Sequence, residues 1–187
     1  VDAPTVREVI RLVREATSGP NGIDGGLVMC GKQFAYVERA DDLFVEGVAP
    51  YYRRTQCVDD QIAVIDAIEA VKLAVYAIGP VGALAEATLA HFADTHQYAI
   101  SGANWADLQI RGVDKGSAVR DLQRFLGVDR SQTAVFGDAG NDLSMMSEGD
   151  LSFAMANASQ DVIEAARFVA PSNNEAGVAQ VLRALLG

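Results

Sequence analysis

Apolar residues fall on a helical stripe at the start of the chain. Val6, Val9, Ile10 and Val13 alternate with Arg and Glu, which predicts an amphipathic helix over 4–16. The tract 18–26 is rich in Gly and Asn and reads as a loop, followed by short extended segments over 27–30 and 34–37. The stretch 41–60 is mixed, with an extended segment predicted at 51–54 and a turn or helix start at 58–60. Beyond it the spacing predicts a strand over 71–77, a helix over 82–95, and strands over 98–100 and 105–110 joined at 101–104.

From Lys115 the rhythm becomes regular. It predicts helix 115–126, strand 132–136, helix 142–147, strand 151–155, helix 159–166, a short strand 167–169 and helix 175–186. Strands alternating with helices imply a parallel sheet flanked by helices. The pattern changes near Gly112, so two domains are expected: an α+β segment over 1–111 and an α/β segment over 112–187.

Composition narrows the function classes. The chain has 187 residues, half of them hydrophobic, enough for a real core. Its net charge of −10 argues against a nucleic-acid-binding surface. No apolar run approaches the ~20 residues needed to span a bilayer, and no signal-peptide pattern is present. A cytoplasmic protein with no nucleic-acid or membrane partner is expected. Cys30 and Cys57 lie outside any metal-binding spacing and are read as two buried, reduced thiols.

The chemistry concentrates between Thr133 and Asp150. An apolar run, Ala134–Val135–Phe136, ends on Gly137–Asp138, and Asn141–Asp142 open the next predicted helix. A strand that carries a carboxylate to its C-terminal tip suits ligand binding at that edge. Upstream, Lys115–Gly116–Ser117 starts a predicted helix, where a lysine can meet a phosphate as a point charge and the helix N-terminus can add N–H donors. Singly, Lys115 also reads as a surface lysine, Asp138 as a turn former, and Asn141 and Asp142 as helix caps. Jointly, the four are hard to explain as turn chemistry.

Lys115–Gly116–Ser117–Ala118, Gly137–Asp138–Ala139–Gly140–Asn141–Asp142 and Met146 together resemble the haloacid dehalogenase superfamily, and within it the Cof-type phosphatases. Ala154–Met155–Ala156–Asn157–Ala158 is similar to a further strand-and-turn of that family, with Ala156 replacing a glycine. The resemblance implies the C-terminal half of a Rossmann-like core preceded by an α+β cap. It also implies Mg²⁺-dependent hydrolysis of a small phosphorylated metabolite, a sugar phosphate being one candidate. By motif, Asp138 would ligate the metal, Lys115 would hold the phosphate, Asn141 would contact it, and Asp142 would orient Lys115 or a metal-bound water.

The family's first motif, DxDGT, supplies the nucleophile, and no Asp-x-Asp occurs here. The expectation is that this N-terminal core segment lies upstream of Val1 and that the chain alone is inactive. A pseudoenzyme or regulatory binding module of the same fold is one alternative. A receiver- or flavodoxin-like signalling domain is another, although such folds need no KG-x-A helix. In that family cap loops choose the leaving group, and Lys32, Gln33, Arg53, Arg54 and the turn 101–105 could do so here, although each also reads as surface charge or a structural turn.

Overall fold

In a computed structural model describing residues 1–187, the opening helix α1 (Ala3–Thr17) begins where Asp2 accepts the Thr5 N–H at 2.9 Å. Its stripe of Val6, Val9, Ile10 and Val13 is buried against a six-stranded sheet. The strands are β1 (Gly25–Cys30), β2 (Ala35–Val37), β3 (Thr55–Cys57), β4 (Lys72–Ala77), β5 (His96–Ile100) and β6 (Trp105–Ile110), in the order β3-β2-β1-β4-β6-β5. All neighbours are antiparallel except β2 and β3. Alternation sorts the side chains: Leu27, Met29, Leu73, Val75, Ala106 and Leu108 join α1 in one core. Val28, Ala74 and Trp105 face the other way. These elements form one unit, Val1–Arg111; Gly112–Gly187 form a second.

Several expectations for the first unit are corrected. The mixed stretch contains a helix, α2 (Asp42–Val48), capped by Asp41. Its β-branched, aromatic and glycine content obscures it, because such residues are poor helix formers on their own. Packing compensates. Phe44 is fully buried and meets Tyr76 edge-on, with ring centroids 5.6 Å apart. Residues 51–54 are a turn after α2 rather than an extended segment, and the strand begins only at Thr55. Cys57 is exposed because β3 is an edge strand, whereas Cys30 is buried; both thiols are free. The helix expected over 82–95 stops early, as α4 (Gly82–Thr88) followed by a 3-10 turn. There the buried Thr88 hydroxyl donates back to the Leu84 carbonyl, a bond that competes with helix continuation. Between α2 and α4 lies the short α3 (Gln61–Val64).

Gly47 is required by a close approach. A Cβ there would lie 2.1 Å from the Tyr76 hydroxyl and 2.4 Å from its ring carbon. Tyr76 cannot yield, since its ring sits between Phe44 and Trp105. Gly47→Ala is therefore expected to cost this unit about 1–3 kcal/mol through overpacking. Urea unfolding would measure it, and an unchanged midpoint would show that α2 has room to move.

The second unit is the α/β part. Strands β7 (Ala134–Gly137), β8 (Leu151–Met155) and β9 (Phe168–Ala170) form a parallel sheet in sequential order. Helices α5 (Lys115–Leu126), α6 (Leu143–Met146), α7 (Gln160–Ala165) and α8 (Gly177–Leu186) accompany it. Val135 and Ala154 pack with Met146 and Val162 on one face. On the other, Phe136, Phe153 and Phe168 stack in a ladder beside Met155 and Val181. β7 pairs only with β8, so its second edge has no strand partner.

Candidate active site

All three strands of the second unit run the same way, so their C-terminal ends share one edge. Ligands bind at that edge in open α/β sheets. β7 brings Asp138 there, one residue beyond its last paired position. A 3-10 turn, Gly140–Asp142, then leads into α6 and turns Asp142 back inward.

Asp142 organises the turn. Its side chain is only 5% exposed. One carboxylate oxygen pairs with the Lys115 ammonium. The other accepts the backbone N–H of Asp138 at 2.9 Å and of Ala139 at 3.2 Å. Burial pushes this carboxyl up, but the Lys115 ammonium and the two amides outweigh it and hold it below the usual aspartate range. Lys115 itself is half exposed. Asp138 is exposed and makes no side-chain hydrogen bond, which leaves both its oxygens available.

Lys115, Asp138 and Asp142 line one cavity of about 600 Å³, whose apolar wall includes Phe136, Met155 and Leu182. Asn141 lies next to this group but is exposed and outside the cavity lining. One expectation is narrowed: two of the first three amides of α5 are already taken. Ser117 N–H donates to Asp114 at 2.7 Å and Gly116 N–H to the Ser144 hydroxyl at 3.1 Å. What remains for an anion at the start of α5 is Lys115.

Two lining or supporting residues escaped the sequence. Asn173 borders the cavity from the loop after β9, where its backbone N–H donates to Asn157. The signal available was the polar run Ser172–Glu175 at the sheet's C-terminal edge. Ser144 had no local signal, because its partner lies 28 residues away. Among the cap positions, Lys32 pairs with Glu69, and Arg53 and Arg54 are exposed in a turn. Asn104 is structural, donating to the carbonyls of Ala77 and Gly79.

As to a metal, Asp138 is a hard oxygen donor of the type a divalent ion takes at a strand tip. Asp142 is spent on Lys115 and two amides. No cluster of three His, Cys, Asp or Glu in the chain could hold a metal ion. The residues present therefore fit a divalent ion as one carboxylate ligand among others, not as a complete cage.

Comparison with known proteins decides the family, since the profile of haloacid dehalogenase-like hydrolases matches residues 6–182. The chain belongs to the haloacid dehalogenase superfamily. Its Cof-type motifs, KG-x-A at Lys115 and GD-x-x-ND at Gly137, fall within the matched range. It is 37% identical over 164 residues to the 5-amino-6-(5-phospho-D-ribitylamino)uracil phosphatase YbjI of Escherichia coli, covering 86% of this chain and 59% of that protein. A Bacillus subtilis protein of the same description, YcsE, is 35% identical over 72 residues, or 38% of this chain and 29% of its own length. Among solved structures, a haloacid dehalogenase-like hydrolase from Bacteroides thetaiotaomicron superposes with a TM-score of 0.84 at 21% identity. That match covers 99% of this chain and 67% of the other, and shows the shared fold. The chain thus spans about three-fifths of YbjI. No helix is long and apolar enough to cross a membrane.

Proposed function

We propose that this chain is the cap and the phosphate-holding half-core of a Cof-type phosphatase acting on a small phosphorylated metabolite. The observation that carries the reading is Lys115 held by the buried Asp142 beside the uncommitted carboxylate of Asp138, on one wall of a cavity. In this role Lys115 neutralises charge on the phosphoryl oxygens, Asp142 keeps the ammonium aimed, and Asp138 supplies a ligand to Mg²⁺. Asn141 contacts the phosphate from the exposed lip of the turn. A bound Mg²⁺ supplies electrophilic charge at the phosphoryl group and offsets its negative charge.

The nucleophilic aspartate of the family's first motif is not among these 187 residues, because no Asp-x-Asp occurs in them. On this reading it belongs to sequence upstream of Val1, which agrees with the greater length of YbjI. YbjI and YcsE carry the name of a phosphatase for a phosphorylated ribityl group on a uracil ring, so that compound leads the substrates to test.

The test is phosphate release from a panel of phosphorylated sugars, polyols and nucleotides by the natural gene product, with Mg²⁺ or with chelator. The expected result is Mg²⁺-dependent turnover of at least one small phosphomonoester by the gene product, and none by a polypeptide that begins at Val1. Turnover by the 187-residue chain alone would refute the assignment of the nucleophile to upstream sequence. No turnover by the gene product on any compound would favour a binding or regulatory role for the fold.

A further inference from the structure

α5 and α6 meet backbone to backbone at the residue that follows Lys115. Gly116 donates its N–H to the Ser144 hydroxyl at 3.1 Å, across 28 residues of sequence. The approach is so close that a Cβ on Gly116 would lie 2.3 Å from the Ser144 carbonyl oxygen and 3.1 Å from the Ser144 Cβ. Ser144 follows Asp142 by two residues. A single short segment therefore provides both the carboxylate that holds the Lys115 ammonium and the hydroxyl that holds the helix start beneath it.

Each bond alone leaves freedom. The ammonium sits on a flexible four-carbon stem, and the ion pair fixes only its far end. The second amide of a helix has no intrahelical acceptor, so without Ser144 the Gly116 N–H has no hydrogen bond to α6. With both bonds, the lysine is pinned at its tip and at the backbone one residue along. Ser144 also stands close to the helix cap Asp114. That carboxyl is held below its usual range first by the Ser117 amide, with the hydroxyls of Ser117 and Ser144 adding to it.

We infer that Ser144 is a positioning residue for Lys115, locking the start of α5 against α6 so that the ammonium is presented to a phosphate at a fixed place. The inference rests on the phosphate-holding role proposed above for Lys115.

Inorganic phosphate is the probe, titrated in the presence of Mg²⁺ into the ¹⁵N-labelled natural gene product and followed by NMR. The unmodified protein is expected to show saturable shifts around Lys115 and Asp138. Ser144→Ala is expected to bind phosphate about three- to tenfold more weakly, the size of one lost hydrogen bond. In the same spectra its Gly116 amide should move upfield and exchange faster with solvent. Gly116→Ala, which wedges the two helices apart, should weaken binding in the same direction. Leu151→Ala thins the core of the same unit at the N-terminal end of β8, on the face away from α6, and should lower thermal stability while leaving phosphate affinity unchanged. Equal affinity in Ser144→Ala and the unmodified protein would overturn the positioning role. So would an equal weakening in Leu151→Ala, which would make the effect one of general stability. No phosphate shifts in the unmodified protein would instead overturn the underlying role of Lys115, and the inference with it.

Discussion

Asp142→Ala is expected to destabilise the second unit by about 1–3 kcal/mol, the range for leaving buried hydrogen-bond donors without their acceptor. The side chain is almost wholly buried and satisfies three donors at once. Removing it strands the Asp138 and Ala139 amides in the turn, and an unmade buried bond costs more than a made one contributes. Asp142→Asn keeps the volume but replaces one acceptor oxygen with a donor, so it should lose less than alanine and still lose substantially.

The pH dependence follows from the same contacts. The folded carboxyl titrates below its unfolded value, so its stabilisation is complete above the unfolded pKa of about 3.9 and is lost as pH falls through the folded value. Acid unfolding followed by circular dichroism should therefore be less steep in Asp142→Asn than in the unmodified chain below about pH 4. Identical acid transitions in the two would show that the carboxylate is not stabilised by the fold.

Lys115→Ala is expected to behave in the opposite way: little loss of stability and a large loss of function. The lysine is half exposed, and truncating it leaves the Asp142 carboxylate with its two amide donors. Exposed charge partners of this kind are worth about 0–1 kcal/mol. On the proposed function the ammonium neutralises charge on the phosphoryl group, and loss of one such preorganised group costs about 10²–10³ in kcat. Turnover by the gene product carrying Lys115→Ala, set beside its thermal midpoint, measures both effects. A midpoint that falls as far as in Asp142→Ala, with kcat intact, would make the ion pair structural and remove Lys115 from the chemistry.

These two residues also show how far the sequence can be read. The α/β half was legible because its signals are local. Apolar runs bounded by Gly and Asp gave β7 and β8, and the spacing after Lys115 gave α5 over its full length. The family resemblance rested on the same short motifs. What escaped depends on partners distant in sequence. α2 is a helix only because Phe44 and Val48 find Val28, Ala74 and Trp105 across the sheet. Gln61 is buried so that its amide can bridge the carbonyls of Leu27 and Tyr36 on adjoining strands, the first of them 34 residues away. Two of the N–H donors read as a phosphate cradle at α5, those of Ser117 and Gly116, are taken by Asp114 and Ser144, and no window of residues around Lys115 contains Ser144. The acidic lip from Gly137 to Asp142 thus divides into two roles that look alike in sequence: Asp142 is turned inward as an anchor, and Asp138 stays free.

That division is what the proposed function stands on, and Asp138→Asn tests it most directly. The measurement is initial rate of phosphate release against Mg²⁺ concentration, for the natural gene product with and without the substitution. Because Asp138 has no internal partner, its amide variant should fold with an unchanged thermal midpoint. The account predicts that the Mg²⁺ requirement rises by more than the roughly ten- to hundredfold that loss of an outer-shell partner costs, or that turnover is lost. An unaltered Mg²⁺ dependence and rate in Asp138→Asn would contradict the placement of the metal at this strand tip, and with it the reading of this turn as half of a phosphatase site.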